Sequence, residues 1–138
     1  MHLVDNLAAP TRILIVDDDA SVRDVISVLL QEEGYDCRTA SSAEAALDIA
    51  AAEAPPLVIS DMKMPGRDGT WLLDAFHERY PETAVIMLTG YGDTEAAVDC
   101  LRRGAVDYLL KPPKLTDLIR AIERAIWATS RLWVSRER

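Results

Sequence analysis

Two short apolar runs in this chain end in carboxylates. Ile13-Leu14-Ile15-Val16 leads into Asp17-Asp18-Asp19, and Leu57-Val58-Ile59-Ser60 leads into Asp61. Carboxylates gathered at about 4 Å repel one another by about 4 kcal/mol at an effective dielectric of about 20. A site that collects them calls for a hard divalent cation. Later positions add complementary groups. Thr89 offers a hydroxyl, Gly90 a backbone N–H that an anion can approach closely, and Lys111 a compact cation suited to phosphate. Carboxylates, a divalent cation and a lysine are the parts used in phosphoryl transfer. A carboxylate can itself be the nucleophile, giving an acyl phosphate.

These residues can act together only if the chain sets their strands side by side. Short apolar runs bounded by turn chemistry suit strands buried on both faces of a parallel sheet. The chain alternates such runs with helical periodicity. The first strand reads as Arg12 to Asp17. Val22, Val25, Ile26, Leu29 and Leu30 then recur at helical spacing, with Asp19 or Ser21 as cap and Gly34 as stop. Tyr35 to Ala40 is a more polar strand suited to a sheet edge. An Ala-rich helix follows, capped by Ser41 or Ser42 and ending before Pro55-Pro56. Leu57 to Asp61 is the third strand, and the loop Met62 to Gly69 leads to a helix over Trp71 to Tyr80. Ala84 to Leu88 is the fourth strand, Asp93 to Arg103 a helix, and Val106 to Leu110 the fifth strand. A last helix starts near Leu115 or Thr116 and reaches toward Ser135. The expected class is α/β, a five-stranded parallel sheet of order 2-1-3-4-5 in a flavodoxin-like, doubly wound (βα)5 fold. Its switch point lies between the first and third strands, so Asp17, Asp18 and Asp61 would share one pocket.

Taken together and in order, Ile-Val-Asp17-Asp18, Asp61 with its Met-Pro-Gly loop, Thr89 and Lys111-Pro112 resemble a known family. It is the receiver domain of two-component response regulators, the family of the chemotaxis response regulator. The resemblance covers residues 11–128, leaving 1–10 as a flexible lead and 129–138 as a helix extension or the start of a linker. It implies that Asp61 is the phosphoacceptor. It also implies that Asp18, Asp61 and the Lys63 backbone carbonyl ligate Mg2+, with Mn2+ as a substitute, and that Asp17 holds the metal through water. Lys111 would pair with Asp61 and then with the phosphoryl group, while Thr89 and the N–H groups of Met62 and Gly90 would donate to its oxygens. The resemblance further implies a cis Lys111-Pro112 peptide, a switch made by Thr89 and Tyr108, and tuning of the phosphorylated lifetime by Lys63 and Tyr91. The implied partner is a sensor histidine kinase or a histidine phosphotransfer protein. The implied behaviour is that of a phosphoacceptor rather than an enzyme, charged by small phosphodonors as well and slow to lose its phosphate. The runs Thr-Gly-Tyr-Gly-Asp and Gly-Ala-Val-Asp-Tyr-Leu-Leu-Lys-Pro look most like nitrogen-regulator and nodulation-type receivers.

Each residue also has a plainer reading. Asp19 reads as a helix cap rather than a fourth ligand. Tyr108 alone would be a half-buried strand tyrosine, Thr89 a turn threonine and Lys111 a solvated lysine. Pro113 departs from the family pattern, where an aromatic often follows Lys-Pro. The rival function is a phosphatase of the haloacid dehalogenase type with Asp17 as nucleophile, carried by Asp17-Asp18-Asp19-Ala20-Ser21. Ser21 in place of threonine and the missing acid pair after Lys111 count against it. A third reading is a docking module that is never phosphorylated, and the full set of Asp17, Asp18, Asp61, Thr89 and Lys111 counts against that.

The chain has 138 residues and a formal net charge of −8, which argues against direct nucleic-acid binding by this domain. Residues 1–101 carry 6 basic against 19 acidic groups, and residues 102–138 carry 9 against 4, so the base is concentrated at the tail. No run approaches a membrane span and the start lacks a signal-peptide pattern. Cys37 and Cys100 have no metal-ligand spacing. A cytoplasmic chain with reduced thiols is the expectation. Trp127, Leu132, Trp133 and Val134 extend the apolar supply of the last helix. They suggest a homodimer contact or a connector to an output domain.

Overall fold

The structure, a computed structural model, describes residues 11–90 and 92–137, with side chains to residue 128. Five strands alternate with five helices: β1 (Arg12–Val16), α1 (Ala20–Glu32), β2 (Asp36–Ala40), α2 (Ala43–Ala52), β3 (Leu57–Asp61), α3 (Gly69–Arg79), β4 (Ala84–Thr89), α4 (Thr94–Arg102), β5 (Asp107–Leu110) and α5 (Leu115–Glu137). The strands form one parallel sheet in the order β2-β1-β3-β4-β5, the order expected from the sequence. The lead over residues 1–10 lies outside the described residues. The boundary expected at residue 128 falls inside α5, a single helix to Glu137.

Alternation along the central strands explains the two faces. Leu14, Val16, Val58, Val85 and Met87 join one core with α2, α3 and α4. Ile13, Ile15, Leu57, Ile59, Ile86 and Leu88 join the other with α1 and α5. Successive side chains point to opposite faces, so a strand buried on both sides must be apolar at every position. The edge strand β2 is largely exposed apart from Ala40, which is why its sequence is more polar. On α5, Leu118 and Ile122 are fully buried, with Leu115, Ile119 and Ile126 packed around them.

Caps fix where the helices start, and hence where the strand-end loops lie. Asp19 Oδ1 accepts from the Ser21 N–H at 2.9 Å, Ser42 Oγ from the Ala45 N–H at 3.1 Å, and Asp68 Oδ1 from the Trp71 N–H at 2.9 Å. Asp19 is therefore a cap. Helix α3 begins two residues earlier than the periodicity suggests, because Asp68 caps it and Gly69 lets it approach β3. A Cβ on Gly69 would lie 2.1 Å from the Asp61 backbone oxygen and 2.9 Å from Met62 Cα. The Gly69 N–H donates to the Met62 carbonyl at 3.0 Å. The Lys111-Pro112 peptide is cis, as the resemblance implies.

Gly69→Ala is expected to lower unfolding free energy by at least about 2 kcal/mol, because the clash is with backbone at the end of β3 rather than with a yielding side chain. Urea unfolding measures it. An unchanged midpoint would mean that α3 does not need this close approach.

Candidate functional site

Because β1 and β3 pair with Val16 opposite Ser60, the next residue of each, Asp17 and Asp61, emerges at the same end of the sheet. Asp17 is fully buried and Asp61 is 6% exposed, whereas Asp18 is exposed. One carboxylate oxygen from each of the three lies within 4.8 Å of the others. Lys111 arrives from the end of β5. Its Nζ stands 2.9 Å from Asp17 Oδ2 and 3.1 Å from Asp61 Oδ1. Asp17 Oδ1 accepts from the Asp19 N–H at 2.9 Å, and Arg23 Nη1 donates to the Asp17 carbonyl at 2.8 Å. Asp17 Oδ2 has no aligned hydrogen bond despite its ion pair with Lys111. A buried anionic oxygen in that condition has capacity left for a cation or an ordered water.

Burial raises the pKa of Asp61 above the usual carboxylate value. Asp17 adds to that rise, and Lys111 and the Lys63 N–H partly offset it. Lys111 shows the opposite balance. Burial works against its charge, but its contacts with Asp17 and Asp61 outweigh that and raise its pKa. The stabilisation from Lys111 is therefore present through neutral pH and is lost as pH rises past the ordinary lysine value of 10.5. A carboxyl group with a raised folded-state pKa behaves differently. The folded state binds more protons than the unfolded one, so this group costs stability as pH rises from 3.8 through its raised pKa.

Thr89 ends β4 and is buried, its hydroxyl donating to the Leu109 carbonyl at 3.5 Å, the long limit of a hydrogen bond. The Lys111 N–H donates to the Thr89 carbonyl at 2.8 Å and ties the last two strand ends together. Tyr108 is half-buried against the core on the α2–α4 face. Tyr91 lies outside the described residues. Met62 departs from the expected role. Its N–H donates to the Leu88 carbonyl at 2.9 Å, extending the β3–β4 ladder, so it is not turned toward the site. The amide that faces Asp61 is that of Lys63, 3.4 Å from Asp61 Oδ1. Three contributors were not singled out from the sequence. Gly69 reads only as the end of a loop and Asp93 only as a helix start, and nothing in the pattern marks Arg23. Asp93 instead reaches across to Lys63, with Oδ1 3.2 Å from Nζ.

Residues 13–123 match the family model of the response regulator receiver domain. The chain belongs to that family. It is 42% identical over 113 residues to the response regulator protein FleR of Pseudomonas aeruginosa, a match covering 82% of this chain and 24% of that protein. It is 39% identical over 112 residues to the DNA-binding transcriptional regulator NtrC of Klebsiella pneumoniae, covering 81% and 24%. A response regulator receiver domain protein from Clostridium thermocellum superposes with a TM-score of 0.84 at 37% identity, covering 88% of this chain and 98% of that one. This receiver thus spans about a quarter of the length of the curated relatives it matches. The likeness to nitrogen-regulator receivers expected from its Thr89 and Lys111 runs is borne out. Among the described residues, no helix is long and apolar enough to cross a membrane.

Lys111→Met keeps the stem but removes the cation between two buried acids. Losing one partner of a buried pair costs about 3–5 kcal/mol. Lys111 is 26% exposed, so solvent screening brings the expected loss to about 2 kcal/mol. Asp61→Asn should stabilise the metal-free protein at neutral pH, by a margin that shrinks on acidification toward 3.8, and should recover part of the Lys111→Met loss in the double variant. Urea melts from pH 4 to pH 8 read both. A Lys111→Met variant as stable as wild type would show that the ammonium does not balance these acids.

Proposed function

We propose that Asp61 accepts a phosphoryl group from the phosphohistidine of a sensor kinase or a histidine phosphotransfer protein. The observation that carries this reading is the Lys111 ammonium 3.1 Å from the nearly buried carboxylate of Asp61. In the transfer, the N–P bond of the phosphohistidine breaks and a bond forms between phosphorus and an Asp61 carboxylate oxygen. The imidazole leaves and takes a proton from solvent. No general base is needed, because the attacking group is the carboxylate anion, the form that Lys111 beside it favours. The obstacle is repulsion between anionic nucleophile and anionic phosphoryl group. Lys111 would offset it directly, and the N–H groups of Lys63, 3.4 Å from Asp61 Oδ1, and of Gly90 would donate to phosphoryl oxygens.

Asp18, Asp61 and the Lys63 carbonyl would hold Mg2+, or Mn2+, with Asp17 joined through water. The three clustered acids and the unaligned Oδ2 of Asp17 fit such an ion. Bound there, it supplies further positive charge against the developing phosphoryl oxygens. The loosely held Thr89 hydroxyl can leave the Leu109 carbonyl for a phosphoryl oxygen, and half-buried Tyr108 can then repack in the space released. Asp17 is a poor nucleophile by comparison. It has no exposed surface, and its Oδ1 is taken by the Asp19 N–H. That weighs against the phosphatase reading.

The donor must reach Asp61 over the rim. An apolar groove of about 460 Å³ lies beside it, between α1 and the Lys111–Pro113 segment, and Val25 in it is 58% exposed. Lys111 lines both groove and site, so an apolar helix carrying the donor histidine and seated there would lie within reach of Asp61.

Asp61→Asn is expected to abolish phosphorylation by acetyl phosphate, read as the loss of the phosphoryl mass on the intact protein. Labelling that persists in Asp61→Asn but vanishes in Asp17→Asn would support the phosphatase instead. Val25→Asp should slow transfer from the kinase at least about tenfold, the scale of burying one unpaired charge in an interface. Its labelling by acetyl phosphate should stay at the wild-type rate. Equal kinase rates for the variant and wild type would move the docking site elsewhere.

A further inference from the structure

Asp93 stands at the N-cap position of α4, yet its side chain makes no capping hydrogen bond, unlike Asp19, Ser42 and Asp68. Its carboxylate is turned away from the helix. Oδ1 meets Lys63 Nζ at 3.2 Å, and Oδ2 lies over Gly90, where an added Cβ would come within 3.2 Å of it. Lys63 follows Asp61 by two residues and Asp93 follows Thr89 by four, so the pair joins the β3–α3 loop to the β4–α4 loop across the mouth of the site. Lys63 is 75% exposed and Asp93 21%. An ion pair this exposed is weak, of the same order as a helix cap. Asp93 therefore has two partners of comparable strength, the Lys63 ammonium and the free N–H groups in the first turn of α4.

We propose that the Lys63–Asp93 ion pair is a latch over the phosphorylation site, and that charging Asp61 releases Asp93 to cap α4. The inference rests on the phosphoacceptor reading of Asp61. A phosphoryl group there carries more negative charge than the carboxylate it replaces. It draws the Lys63 ammonium inward and repels the Asp93 carboxylate over Gly90. Both effects break the pair, and the freed carboxylate is already at the position from which an aspartate accepts from the second or third helical N–H, here Glu95 or Ala96. The state of the site is thereby written into the first turn of α4, a helix of nine residues that buries only Ala97 and Cys100. No large movement is needed, because the change is a side-chain rotation within one loop.

Amide hydrogen exchange of the full chain, resolved to Glu95 and Ala96, tests the latch in two arms. In uncharged protein, Lys63→Met removes the ammonium, and exchange at Glu95 or Ala96 should slow about fivefold, the scale of one cap interaction. Lys63→Arg should exchange as wild type does, and Lys63→Met/Asp93→Ala should lose the slowing. Unchanged exchange in Lys63→Met overturns the latch whatever Asp61 does. In the second arm, wild type is incubated with acetyl phosphate and Mg2+, and the phosphorylated fraction is read by intact mass. Protein that charges and shows the same slowing supports the coupling. Charging without slowing overturns the coupling while leaving the phosphoacceptor reading intact. A failure to charge overturns that reading, and with it the coupling.

Discussion

A single ammonium facing two buried carboxylates is the constraint on which the rest of this molecule depends. Asp17 and Asp61 stand at the ends of neighbouring strands, and their balancing charge comes from β5, beyond β4 at the sheet edge. Adjacent strands lie about 4.8 Å apart, so the gap from β3 to β5 is about 10 Å. A lysine can close it because its stem is long and its head is a point charge with three donors. Any slip in register along the sheet would take the ammonium away from one acid or the other. The apolar strands, their helix caps and the close approach at Gly69 can thus be understood as what holds three charged atoms in register.

The same arrangement sets stability against reactivity. Burial raises the pKa of Asp61 and makes its anion costly, yet the anion is the nucleophile of the proposed transfer. Lys111 offsets part of that cost without abolishing it, and Asp17 Oδ2 is left without an aligned donor. A site optimised for stability alone would replace one acid with a neutral group. This one keeps an excess of negative charge, which is the condition for attracting cations and for responding when charge is added.

Much of this was legible in the sequence, for identifiable reasons. The central strands are apolar at every position because both faces are covered, so Ile13–Val16 and Leu57–Ile59 announce a parallel sheet, and strand-end acids follow from it. Asp61, Thr89 and Lys111 were legible because each stands where an apolar run stops. What stayed hidden depends on which way a group points. The family resemblance implies a phosphoryl donor in the Met62 N–H, but the β3–β4 ladder runs one residue further than the apolar run suggests and engages it at the Leu88 carbonyl. Gly69 was hidden because a glycine needed for close approach looks like a glycine needed for a turn. Asp93 was hidden because an aspartate before a helix is read as its cap, and no pattern in one sequence reports that the carboxylate has turned to a lysine thirty residues earlier.

These two kinds of legibility coincide with two tiers of the site. The lower tier, Asp17, Asp61, Thr89 and Lys111, is fixed by the sheet and is largely buried. A change there alters the fold as well as the chemistry, since each group balances another in low dielectric. The upper tier, the pair of exposed Lys63 and partly exposed Asp93, is held by an interaction of about 1 kcal/mol or less. Residues there can be exchanged at little cost in stability, and on the proposed latch each exchange would shift how tightly the mouth is bridged and how firmly the first turn of α4 is held. On the proposed phosphoacceptor and latch readings, the buried acids would fix what reaction occurs, and the weak pairs above them would set how the rest of the domain registers it.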